Sequence, residues 1–127
     1  MNNLSDLEKS IGYKFKDKKY LKIALTHKSY LDEYPELHSN QRYEFFGDAI
    51  LDFDLTEYLF EKYPDLDEGS LTKIRSSAVN QFYLVKLGRK INIGQYLYLS
   101  KAEESTGGRE KDSILEDSLE ALIAALY

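Results

Sequence analysis

The chain has two prolines, Pro35 and Pro64, and between them residues 41–62 run without a helix breaker other than Gly47. One glycine inside a helix costs about 1 kcal/mol and is tolerated. The spacing therefore predicts one helix from Gln41 to Lys62, roughly 33 Å long, enough to cross a small domain. Ser39 or Asn40 stands at its start as a cap. The rest of the chain must pack around this rod.

The flanking segments read as further helices. "LSDLEKSIGYKF" opens with a cap signal at Ser5 or Asp6, and Asp17 precedes the run "KKYLKIALTHKSYL". "DEGSLTKIRSSAVNQFYLVKLGRK" starts at Asp67 or Ser70, with a break near Asn80 left open. "INIGQYLYLS" fits either a short strand or a turn of helix, and "KAEESTGGREK" reads as a mobile loop. Asp112 is expected to cap a last helix, "SILEDSLEALIAALY". No Asn-Gly or Asp-Gly hairpin signal occurs, so the expected class is all-α, a compact multi-helix domain.

At 127 residues, with no repeat or Gly/Ser linker, the chain reads as one domain with a real core. Cysteine is absent, which excludes disulfides and thiolate metal sites. The N-terminus lacks a signal-peptide pattern, and the longest apolar run, "ALIAALY", is far short of a membrane span. The expectation is a cytoplasmic protein with no membrane partner. Net charge is −5, which taken alone opposes nonspecific nucleic-acid affinity. Acids gathered in a metal site would be neutralised by bound cations, so the bulk charge does not settle the matter.

On a helical wheel Glu44 and Asp48 lie about 40° apart. Leu51, Leu55 and Leu59 share their side, and the helix is apolar nearly all round, the mark of a buried central element. In the last helix Leu115, Leu119, Leu122 and Leu126 form one stripe. Asp117 and Glu120 form a narrow acidic strip opposite, with Ser113 and Ala124 between and around them. Like charges one turn apart repel. Either these strips are ordinary polar surfaces, or the two helices jointly build a four-carboxylate site around a cation. Oxygen donors without His or Cys would select Mg²⁺ or Mn²⁺, the metals of two-metal phosphoryl chemistry. No Gly-rich phosphate loop or Ser/His/Asp set competes, and no nucleotide cofactor is expected.

Four stretches resemble, in order, elements of the ribonuclease III family. "NQRYEFFGDAIL" is similar to the signature N-E-R-L-E-F-L-G-D-A-V-L, and "ALTHKSY" to A-L-T-H-x-S-Y. "YLFEKYPDLDEGSLTKIRSSAVN" matches the family's P-x-x-x-E-G-x-L-(S/T) region. "EESTGGREKDSILEDSLEALIAALY" matches its E-E-x-x-G-G-R to S-I-L-A-D-A-(L/F)-E-A-L-I element. The resemblance covers roughly 100 residues.

What it implies is a Mg²⁺-dependent endoribonuclease, with Mn²⁺ able to substitute, that cuts double-stranded RNA. Its products carry 5′-phosphate and 3′-hydroxyl ends with two-nucleotide 3′ overhangs. Precursors of rRNA and mRNA are the implied substrates. The family's metal ligands fall on Glu44, Asp48, Asp117 and Glu120, with Asp48 and Glu120 the most critical for catalysis. Glu68 falls on an acidic position facing the RNA cleft, or is simply a helix-start acid that favours the dipole. The family forms homodimers, and Phe45 falls on an aromatic knob that enters the partner; otherwise it is a core phenylalanine.

His27 and His38 are 11 residues apart with no cysteine to join them, and His27 reads as a packing or hydrogen-bonding residue. Lys14, Lys16, Lys18 and Lys19 form either phosphate contacts or a solvated helix surface. Gln41 stands where the family has Glu, Tyr43 and Phe46 are bulkier than its leucines, and Ala124 replaces a common Gly. The pattern stops at Tyr127 inside a helix, so residues 1–127 read as a nuclease domain with a truncated C-terminal end and no double-stranded RNA-binding domain. A different reading of the resemblance is a noncatalytic member that binds structured RNA or serves as a dimerisation scaffold. The intact carboxylates oppose it.

Overall fold

The computed structural model describes residues 3–127, and its helices are arranged around the last of them. In chain order they are α1 (Leu4–Ile11), α2 (Lys18–Ala24), α3 (Gln41–Lys62), α4 (Glu68–Ala78), α5 (Gln81–Lys90), α6 (Lys101–Ser105) and α7 (Asp112–Leu126). Single 3₁₀ turns fill Lys28–Asp32, Ile93–Tyr96 and Gly108–Glu110. The β-structure among the described residues is one isolated parallel bridge, Thr26 to Tyr98. The expected all-α class is what the chain adopts.

Local chemistry accounts for most helix starts. Asp17, Asp67, Asn80 and Ser100 each accept a backbone N–H of the first turn through the side chain, a contact worth about 1 kcal/mol. Asn80 separates α4 from α5, the break left open by the sequence. The first cap is Asn3, which accepts from the Ser5 N–H at 3.0 Å, so Ser5 and Asp6 lie inside the first turn. Lys111, not Asp112, precedes the last helix; Asp112 is its first residue and accepts from Arg89 at 2.7 Å.

Three further expectations, each about a whole segment, are overturned. The run 18–31 is not one helix, because Asn40 intercepts its end: the Asn40 side chain donates to the Ala24 carbonyl at 3.0 Å and its backbone N–H donates to the Thr26 carbonyl at 2.8 Å. The next residues pair with the segment around Tyr98 instead (His27 N–H to Tyr98 carbonyl, 3.1 Å). The segment 101–111 is not a mobile loop. It is built from α6 and a 3₁₀ turn, and Arg109 straps it down by donating to the carbonyls of Gly94 and Leu97 and to Glu104.

The third concerns α3. In the single chain only Gly47, Ile50 and Leu59 of this helix are buried, while Phe45, Phe53 and Phe60 are exposed. α3 packs along one side, on α7 and α4, which leaves its aromatic side open. The buried central element is α7. Its Leu115, Leu119 and Leu122 join Leu7, Leu21, Leu25, Leu84, Ile93 and Leu97 in the core, each such burial contributing about 1.5–3 kcal/mol.

The α3–α7 crossing positions everything that follows. A Cβ added at Gly47 would lie 1.7 Å from the Glu120 carbonyl oxygen, so the two backbones touch there and only glycine fits. Glu44 and Asp48, three residues before and one after this glycine, are thereby held against the Glu120 turn of α7.

A candidate metal centre between two helices

At this crossing Glu44, Asp117 and Glu120 each offer a carboxylate oxygen, and the three oxygens lie within 4.8 Å of one another. Asp48 stands outside that trio but shares a hydrogen bond with Glu120. Asp117 shares one with Glu44. All four acids picked out by the wheels therefore meet in one place, three of them as a compact donor set.

Electrostatics there are severe. Glu120 is 7% exposed. Burial, the hydrogen bond that protonated Glu120 donates to Asp48 and the charges of Asp48, Glu116 and Glu44 push its carboxyl up to about 8. Burial and the facing Asp117, with Glu116 and Asp48 behind, push Glu44 up to about 7. Carboxylates this close share protons, because crowded anions cannot all ionise. A divalent cation among them would remove that penalty. The donor set consists of oxygen alone, which suits a hard cation and not zinc.

Sequence reasoning passed over Glu116. It lies one helical turn before Glu120 and is half-buried, and burial with the charges of Asp117 and Asp48 raises its pKa, while a hydrogen bond with Gln81 works the other way. Its spacing of four from Glu120 was the available signal. The resemblance hid it, since the family pattern has alanine at that position.

The other expected residues lie apart from the acids. Glu68 is the exposed first residue of α4 and lines a cleft of about 170 Å³ with Phe60 and Arg75. Phe45 is 82% exposed and is not a core residue of the single chain. Lys18 donates to buried Glu8 at 2.7 Å, where a second Glu8 oxygen accepts the Phe15 N–H. That tie gives Lys18 a place in the fold between α1 and α2. His38 borders a groove with Leu37 and Tyr98, away from the acids.

Comparison with known proteins places this geometry. The family model described as Ribonuclease-III-like matches residues 17–127. Ribonuclease 3 of Sulfurovum sp. (strain NBC37-1) is 52% identical over 127 residues, all of this chain and 55% of that protein. Ribonuclease 3 of Campylobacter jejuni (strain RM1221) is 47% identical, again over 100% of this chain and 55% of the relative. The chain thus spans about half the length of the curated relatives it matches. A solved nuclease domain of ribonuclease III from Campylobacter jejuni, described for structural flexibility in a region involved in dimer formation, superposes with a TM-score of 0.91. It is 46% identical, and the match covers 98% of this chain and 84% of that one. With the family model, the relatives and the fold in agreement, the chain belongs to the ribonuclease-III-like family.

Proposed function

We propose that this chain is the nuclease domain of an endoribonuclease that cuts double-stranded RNA by metal-assisted phosphodiester hydrolysis. The observation that carries the reading is the meeting of Glu44, Asp117 and Glu120 oxygens within 4.8 Å, with Asp48 bonded to Glu120. These four side chains would hold Mg²⁺, with Mn²⁺ able to substitute. When bound, the metal supplies positive charge for the phosphate oxygens and a water of lowered pKa.

The protein's own contribution is to fix the donors. Glu120 is held rigidly because its carbonyl touches Gly47 and its side chain is buried. Asp48 is exposed, which supports a side chain open to both metal and substrate. We assign Asp48 and Glu120 as the catalytic pair, with Glu44 and Asp117 completing the metal shell. Cleavage leaves 5′-phosphate and 3′-hydroxyl ends, and the cellular substrates are rRNA and mRNA precursors met in the cytoplasm. A duplex is read through its A-form shape and backbone, because the narrow RNA major groove excludes side chains. We assign Glu68 as a further acid facing the RNA, on the cleft that it shares with Phe60 and Arg75. The open aromatic side of α3, with Phe45 at its start, seats a second copy, giving a homodimer with one acid site per strand.

The test incubates the protein with long duplex RNA in Mg²⁺ or in EDTA, beside Glu120→Gln. Cleavage should require the metal and fall on the order of 100-fold or more in the variant, since even residues outside the first ligand shell cost 10–100-fold. Cutting in EDTA, or equal cutting by Glu120→Gln, contradicts the reading. Sedimentation of the same sample should show a dimer that Phe45→Ala weakens; a monomer near 14.8 kDa removes the second copy.

A further inference from the structure

Between residues 9 and 22 the chain holds six lysines and one acid, Asp17, although its net charge is −5. Two of these cations have partners within the fold. Lys18 donates to buried Glu8 at 2.7 Å, and Lys19 lies 3.6 Å from Asp17 and 5.1 Å from the ring centre of Tyr20. Among the described residues, Lys9, Lys14, Lys16 and Lys22 make no ion pair, and all four are exposed.

Beside them a cavity of about 440 Å³ opens between the loop 12–17, the start of α2, the start of α3 and the end of α7. That size falls within the roughly 300–1,000 Å³ of small-ligand sites. Its aromatic lining is Tyr13, Phe15, Tyr20, Tyr43, Phe46 and Tyr127. Buried Phe15 meets Tyr13 edge to face at 5.0 Å, and Phe46 meets Tyr127 in the same way at 5.7 Å. Lys16 joins the lining, and so does Asp17, whose carboxylate already accepts the Lys19 N–H at 3.0 Å and faces the Lys19 ammonium. Tyr43 and Phe46 leave α3 about 100° or more round the helix from Glu44 and Asp48, so the cavity is separate from the acid site.

Open aromatic faces among unpaired lysines match flat, unstacked bases joined by phosphates. A duplex does not suit the cavity, because its bases are stacked inside the helix. An acidic peptide would use the lysines and leave the rings without partners. We propose that this face binds an unpaired RNA strand: a base enters the aromatic cavity, and Lys14 and Lys16, on either side of Phe15, meet its phosphates. That the strand is RNA rests on the function proposed above; the contact itself does not use the acid site. The competing occupant is a second copy of the chain, since Phe46 adjoins Phe45 on α3.

The test is fluorescence anisotropy with a labelled adenylate decamer in EDTA at low salt, where neither metal nor cleavage enters. The decamer should bind the chain, and Tyr20→Ala should weaken it about tenfold, the loss of one stacked base. Tyr20→Phe keeps the ring and should stay within about threefold of the parent. Lys16→Gln should make the fall of log affinity with log salt shallower by about 0.7, the share of one phosphate contact on a single strand. Because Lys16 is exposed, that variant tests the face even where Tyr20→Ala lowers Tm. A decamer that does not bind, affinity unchanged in Tyr20→Ala, or an abasic decamer that binds as well as the adenylate one overturns the proposal. So does sedimentation in which Tyr20→Ala weakens self-association and leaves decamer affinity as it was, which gives the cavity to a second copy. Tyr20-dependent decamer binding by a chain that cuts no duplex in Mg²⁺ supports this proposal and removes only the nuclease reading.

Discussion

Glu120 is held in the fold against its own charge. Its carboxyl, pushed up to about 8 from the ordinary glutamate value near 4.5, keeps a proton in the folded metal-free protein that the unfolded chain releases near pH 4.5. Between those values the native state binds more protons, so stability falls as pH rises and levels off above about 8. Glu44, at about 7, acts in the same direction. Glu8 and Glu103 are held low by the Lys18 and Lys111 hydrogen bonds. Their contribution is lost only as pH falls below the ordinary carboxylate range, so it is constant across this window. His27, pushed down by burial from 6.5, adds stability as pH rises toward that value, which leaves pH 6.5–8.5 as the clean interval. Over it the metal-free Tm should fall by roughly 8 °C, corresponding to about 2 kcal/mol. Glu120→Gln should remove most of that slope, and saturating Mg²⁺ should reverse it. A Tm that rises over the interval, or an unchanged slope in Glu120→Gln, contradicts the assigned electrostatics.

Between elements, the decisive contact is the α3–α7 crossing. Gly47→Ala would drive a methyl into the Glu120 carbonyl, 1.7 Å away, and backbone cannot yield as a flexible side chain can. The helices must separate, at about 3 kcal/mol, which lowers Tm by roughly 10 °C; a parental Tm would mean that the crossing is looser than described. How much of this was legible in sequence depends on where each element's partners lie. α3 was legible because the breakers that bound it, Pro35 and Pro64, are close in the chain, although the Asn40 side chain donates to Ala24 and does not cap it. The end of α2 was not, since Asn40 and Tyr98 stop it from 16 residues away and farther. The segment 101–111 read as a loop because the acceptors of Arg109 lie on Gly94 and Leu97. The exposure of α3 was misjudged for a related reason: periodicity shows which residues are apolar, not what covers them.

For the molecule as a whole, a net charge of −5 is compatible with a proposed polyanionic substrate because several of the acids crowd one another where a bound cation would neutralise them. Wheels drawn for two helices found Glu44, Asp48, Asp117 and Glu120, but they did not show that the helices touch. That contact depends on the glycine at the crossing. Glu116 was missed because the family pattern has alanine at its position, although its spacing of four from Glu120 was visible. The central claim is that these side chains gather around a hard cation. It is tested most directly by anomalous scattering from crystals of the protein grown with Mn²⁺. The predicted result is manganese density enclosed by Glu44, Asp117 and Glu120, with Asp48 at its edge, and its loss in Glu120→Gln. Manganese bound elsewhere while these carboxylates stay hydrogen-bonded to one another would contradict it.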